Sequence, residues 1–239
     1  MKRREPIPPL AGSPASDTAR TSPQYNKSIS TLYVPHAQRV TSTLFLQDFM
    51  EEFPFADLVT AAPSPRITHL PVFLDRDAGD FGTIHGHISR QNGQQSAFDG
   101  EQEAVIVFRG PNRYISPAWY RTSPAVPTWN YAAVHATGRL SPVTDPTALH
   151  AMVARLTATF EAREGGTGYE ISALPPDYVA GMLSGIVGFE MRIERLEGRF
   201  KFGQERPEAD RQGILDHLRT ASKERTLCDL TEAFYQRKA

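Results

Sequence analysis

Between residue 33 and about residue 219 the chain is written as apolar runs of four to nine residues, cut apart by Gly, Pro, Asp and Asn. Runs of that length, bounded in that way, read as strands, and a chain that repeats them over most of its length has to pair them into a sheet. The candidates are 55–61, 67–74, 83–89, 104–109, 129–140 and a long run from Ile186 past Ile193 toward Phe202. Turn signals at 77–82 and at Phe98-Asp99-Gly100 separate them.

Helices flank this pattern. Ser42 is placed to cap a helix over 44–53, where Phe45, Phe49 and Phe53 recur four apart on one face. Asp145 is placed to cap a second, from Pro146 to about Arg163, on the stripe Leu149, Met152, Val153, Leu156 and Phe160. Pro175-Pro176-Asp177 opens a short helix through Leu183, and 207–237 reads as one or two amphipathic helices with Leu227, Leu230 and Phe234 at helical spacing. With no internal repeat and no second charge regime, the expected organisation is a disordered arm over 1–30, one domain over 31–219 and a C-terminal amphipathic helix over 220–239.

The arm holds five of the nineteen prolines and only eight hydrophobic residues, too few to offset the cost of ordering. Its basic start, Met1-Lys2-Arg3-Arg4, runs into Glu5 and prolines at 6, 8 and 9, which spoil both a secretory apolar core and an amphipathic transit helix. Over the whole chain, 40% hydrophobic residues suffice for a real core. Lys plus Arg number 26 against 27 Asp plus Glu, so no global positive field holds a nucleic acid or an anionic membrane, and any anion site must be local. The single cysteine, Cys228, forbids an intrachain disulfide and a four-ligand zinc cage, and a reducing, cytoplasmic setting is expected. No apolar stretch approaches the about 20 residues of a membrane helix.

Four clusters could carry chemistry. In 83–92, period two puts His85, His87 and Ser89 on one face of a strand that ends at Arg90 and Asn92. Two histidines at i and i+2 invite a metal, but no third ligand stands at a recognisable spacing, which favours paired structural histidines. Gly86 leaves room for a bulge or a flat ligand, and Ser89 with Arg90 supplies a hydroxyl and a guanidinium suited to phosphate oxygens; a solvated strand end is the plain alternative. In 66–71, Pro71 removes a ladder donor, so that strand lies at an edge or turns its amides toward solvent or a ligand. Over 110–120 and 126–131 fall both tryptophans, Trp119 and Trp129, with Tyr114, Tyr120 and Tyr131 among stiffening prolines, a composition for a flat apolar ligand, an interface or anchors on the core. In 197–206, Arg199, Lys201 and Arg206 bring three cations together, for a phosphate or an acidic pair.

Taken in order, His69-Leu70-Pro71, Gly86-His87-x-x-Arg90-x-Asn92, Gly110-Pro111-x-x-Tyr114-Ile115-Ser116-Pro117-x-Trp119-Tyr120, Val126-Pro127-Thr128-Trp129-Asn130-Tyr131-x-x-Val134-His135 and Ile186-Val187-Gly188 resemble the PaiB-type FMN-binding family, over about 33–218. The resemblance implies a mainly β fold with flanking helices, an FMN-binding split β-barrel, in a homodimer with flavin sites at the subunit interface, and the family's label of negative transcriptional regulator. It implies that the strand ending Ser89-Arg90 meets the FMN phosphate and that the His69-Leu70-Pro71 backbone lies near the ring. His87, Asn92, Trp129, Asn130, Lys201, Gln204 and Arg206 complete the cofactor-binding candidates it implies, and no metal is expected. Two departures stand out: Gly93 where a proline commonly follows the Asn, and Lys201-Phe202-Gly203-Gln204-Glu205-Arg206 where the family has Lys-x-Ser-Gln-Asn-Arg.

Three functions compete. A bound mononucleotide suits the local cations and flat aromatic loops, and a regulatory or redox-sensing flavoprotein ranks first. A flavin-dependent oxidoreductase ranks second, since flavin carries the chemistry and the protein need only position it. Direct DNA binding ranks third and is disfavoured, because the charge is near neutral and no helix-turn-helix or zinc finger stands out.

Overall fold

The computed structural model describes residues 30–166, 168–220 and 225–238. The expected arm therefore lies outside the described residues, apart from Ser30. Among the described residues eight strands form one sheet: β1 (Arg39–Val40), β2 (Phe55–Thr60), β3 (Arg66–Pro71), β4 (Phe73–Asp75), β5 (Thr83–Ser89), β6 (Glu103–Ile115), β7 (Thr128–Val143) and β8 (Ile186–Lys201). Among the described residues five α-helices accompany it: α1 (Thr43–Glu52), α2 (Pro146–Arg163), α3 (Pro176–Ser184), α4 (Glu208–Thr220) and α5 (Arg225–Lys238).

The strands pair antiparallel in the order β3-β2-β6-β7-β8-β5-β4, with β1 added on β8. β3 and β4 are the two ends of that order, yet only Val72 separates them in the chain. The sheet thus curls until its two borders are consecutive strands joined through a single residue, a split β-barrel. The single run expected over 67–74 breaks at Val72 for a physical reason. Pro71 has no N–H, and the Val72 N–H donates to Pro54 O at 3.0 Å instead of to a ladder, so the chain changes partner there from β2 to β5.

Alternation fills the barrel. Along β7, Ala132, Val134, Ala136 and Leu140 point inward and are buried; Phe189, Met191, Ile193 and Phe200 do the same along β8. α1 closes one side with Phe45, Leu46, Phe49 and Met50, and both Phe45 and Phe49 sit 5.1 Å from the Phe200 ring. Ser42 caps it, accepting from the Phe45 N–H. The close fit explains two glycines: a Cβ at Gly198 would overlap Leu46, and one at Gly110 would lie 2.8 Å from Phe49 Cζ. Gly110 and Pro111 fall in the register shift between Arg109 and Asn112, so β6 runs through this bulge to Ile115, well past the expected end at 109.

α4 and α5 belong to the same core. Ile214, Leu218, Leu227, Cys228 and Phe234 are buried in it, and Phe234 stacks parallel to Phe200 at 5.9 Å. α2 covers the outer face of β4 and β5 and forms a second, smaller cluster of Phe73, Leu149, Met152 and Leu156. No helix among the described residues is long and apolar enough to cross a membrane.

Three half-buried histidines on the outer face, His85, His87 and His135, are each pushed below the usual imidazole range by burial. The unfolded chain charges them more readily, so it binds more protons on acidification and stability falls with pH below the free imidazole value of about 6.5. The melting temperature is expected to drop between about pH 6.5 and 5, and His87→Phe to flatten that slope. A melting temperature level across this window would show that these rings ionise freely in the fold.

Candidate functional site

The curl leaves an open seam. β3 and β5 approach one another, but no backbone ladder joins them; side chains bridge the gap instead. After β5 the chain turns at Arg90 and Gln91, and Asn92 caps a 3-10 turn, Gly93–Ala97, by accepting from the Gln94 N–H at 2.9 Å. From that turn Asn92 donates across the seam to Thr68 Oγ1 at 2.8 Å, and the Thr68 hydroxyl donates to Gln94 Oε1 at 2.5 Å. The Gln94 amide then donates to Leu58 O, Thr60 Oγ1 and Arg66 O at 3.1 to 3.3 Å. Gln94 is 1% exposed, so this is a buried bolt holding β3 to the β5 end.

Arg66 places one cation at the seam. Arg66 lies against Gly93 so closely that a Cβ there would sit 2.5 Å from Nη1. Ser89 is exposed, its hydroxyl accepting only from the Gln91 N–H at 3.2 Å among the described hydrogen bonds. Arg90 donates from Nε to Ser184 O at 2.7 Å and from Nη2 to Ile186 O at 2.8 Å, at the junction of α3 and β8.

On β3, Leu70 is buried while His69 stands exposed on the outer face. Asp57, opposite it on β2, holds His69 Nδ1 at 2.5 Å and is itself clamped by Arg109 from β6, Nε to Oδ2 at 2.9 Å. The Asp57 charge is thereby paired within the sheet, and His69 presents the other side of its ring to solvent. β3 is a border strand, as Pro71 suggested, so one edge of its amides has no ladder.

Of the candidates, His69, Leu70 and Pro71 lie on β3 and Asn92 bonds across the seam to Thr68, while Ser89 ends β5 and the Arg90 guanidinium is held on the far side of β5, at the α3–β8 junction. His87 stands on β5 but turns to the α2 side, its Nδ1 buried without a hydrogen-bond partner among the described residues. The remaining candidates share no hydrogen bond or ion pair with the seam among the described residues. Lys201 donates to Thr128 Oγ1 at 2.6 Å, tying β8 to β7. Gln204 secures the turn after β8, accepting from the Phe202 N–H and donating to Phe200 O. Arg206 lies 3.7 Å over the Tyr120 ring and pairs with Asp210. Asp210 is fully buried, and although burial raises its pKa, the Thr122 hydroxyl and the Thr122 and Arg121 amides hold the carboxyl below its usual range.

Trp129 is exposed and meets Tyr114 edge-on at 6.2 Å; with Asn112, Arg113 and Trp119 the two line an open recess of about 400 Å³. Asn130, one residue on, is fully buried, with neither amide atom hydrogen-bonded among the described residues. Among those residues no group of three His, Cys, Asp or Glu is arranged to hold a metal.

The donor set suits a phosphorylated planar ligand. The Arg66 guanidinium and the exposed Ser89 hydroxyl are groups of the kind a phosphate needs, and the unladdered β3 edge offers backbone groups to the polar rim of a ring. Gln94, Thr68, Asp57 and Arg109 make the seam's framework without having stood out singly in the sequence.

The fold is known elsewhere. The flavocytochrome Anf3 from Azotobacter vinelandii superposes with a TM-score of 0.55 at 12% identity, over 70% of each chain. The FAD and heme binding protein from Mycobacterium smegmatis gives 0.52 at 15%, over 69% of this chain and 73% of that one. In sequence, the chain is 30% identical to "Protease synthase and sporulation protein PAI 2" of Bacillus subtilis over 188 residues, 78% of this chain and 89% of the relative. Residues 32–195 match the family described as "Putative FMN-binding domain". The chain belongs to this PaiB-type FMN-binding family.

Proposed function

We propose that the chain binds FMN in the seam between β3 and β5 and works as a regulatory or redox-sensing flavoprotein. The observation that carries this is the Arg66 guanidinium against the Gly93 turn and the exposed Ser89 hydroxyl beside an unladdered strand edge, with Arg90 next to Ser89 in the chain. In this reading Ser89 and the two arginines take the phosphate, and the His69-Leu70-Pro71 backbone faces the ring. Bound flavin would supply electron transfer; the chain's own part is to bind and orient it. Phe55 and Ile67, exposed by 66% and 60% on the outer face of β2 and β3, support a homodimer that covers this face and completes the site.

The test starts with purified protein mixed with FMN and desalted, read by absorption for retained flavin and by light scattering for a mass of two chains. Arg90→Ala is expected to weaken FMN by about tenfold to a few hundredfold, from hydrogen bonds to charged groups of roughly 1.5 to 3 kcal/mol. Riboflavin, which lacks the phosphate, should change far less. Equal weakening of both ligands, or of neither, would make Arg90 a structural residue that braces Ser184 and Ile186.

A further inference from the structure

Arg90 also lines a second recess, of about 640 Å³, between α2, α3 and the turn Ile171–Ala173 that precedes α3. That volume is in the range of small-molecule sites. Leu149, Ile171, Leu174, Val179 and Leu183 give it apolar walls. Among the described residues that line it none is acidic; the polar groups are hydroxyls, the His150 ring and the Arg90 guanidinium. The walls are also under-covered for their chemistry: α3 buries only Val179 of its nine residues, and the turn before it buries none. Apolar surface left open around a cation calls for a ligand of matching character.

Arg90 is not a swinging surface charge. Its Nε and Nη2 donate to Ser184 O and Ile186 O, and Ser184 itself lines the recess. Two fixed donors pre-orient the guanidinium, so little side-chain freedom remains to be lost when an anion meets it.

We propose that this recess binds a small amphipathic carboxylate, its apolar tail along Leu149, Val179 and Leu183 and its carboxylate against Arg90. The site goes beyond the flavin reading and shares one residue with it. Binding is therefore read on flavin-free, full-length protein, where failure of either idea leaves the other standing.

The experiment is calorimetric titration of decanoate, with 1-decanol as the uncharged control. Decanoate is expected to saturate at one per chain and to bind about tenfold or more tighter than decanol, and Arg90→Gln to erase that difference. Ala180→Trp, which fills the recess from an exposed position, should weaken both probes about tenfold or more while leaving the melting temperature unchanged. Three results overturn the proposal: no saturable binding up to about 1 mM, equal affinity for the two probes in the parent protein, or indifference to Ala180→Trp. So does the finding that Met182→Glu, on the exposed side of α3, halves the mass of a parent that does not bind decanoate, since a second copy then covers this face.

Discussion

Gly138→Ala is expected to destabilise the protein by about 3 kcal/mol, the upper end of what overpacking a filled core costs. Gly138 sits in β7 at the register shift where the ladder to β8 resumes, with Ile193 as its partner. A Cβ there would overlap the Arg192 carbonyl oxygen and come within 3.0 Å of Met191 Cγ. The first of these is backbone in the middle of a long strand, so it cannot rotate aside as a side chain could. Relief would require parting the two sixteen-residue strands that hold the barrel together. Urea denaturation measures it: the midpoint should fall with little change in slope. Gly181→Ala, inside α3 with nothing within 4 Å, is the control and should be neutral or slightly stabilising. If both variants melt with the parent, the β7–β8 approach at Gly138 is looser than described.

Gln94→Ala is expected to cost about 2 to 3 kcal/mol and to act locally. The substitution removes an amide that serves three acceptors and takes the Thr68 hydroxyl, leaving Leu58 O and Arg66 O without that partner behind a closed surface. Hydrogen exchange separates a local from a global effect: β3 amides should exchange faster while those of β7 and β8 keep their protection relative to global stability. Uniform acceleration across the sheet would mean that Gln94 supports the whole barrel and has no special hold on the seam. Flavin affinity should fall with β3 order, for FMN and for riboflavin alike, which distinguishes this loss from that of a phosphate ligand.

Much of the barrel was legible because alternation and burial are the same fact written twice. β5, β7 and β8 declare themselves by side chains that alternate, and Ser42 and Asp145 accept from the amides that their positions promised. The change of partner at Val72 was not legible, since both halves of 66–75 carry the same strand-like composition and only the missing Pro71 N–H hints at the break. Gln94 was hidden for a related reason. A glutamine in a polar loop has no period to betray it, and its burial arises from strands remote in sequence. Asp57 and Arg109 look like ordinary surface charges until the register places them beside His69. Gly110 and Pro111 resemble a strand end, yet they form a bulge within β6.

A sheet whose two borders are consecutive strands joined through a single residue obeys a mechanical rule. If β3 slipped by a residue along β2, β4 would have to slip equally along β5, because Val72 is the only link between them. That slip would turn every side chain of 66–75 to the opposite face. Phe73 would leave its stack on His85 at 4.8 Å and its place under the Arg155 guanidinium. The seam therefore cannot shear; it can only gape, with β3 bending about Val72 like a hasp on its pin, and Asn92 and Gln94 are the catch.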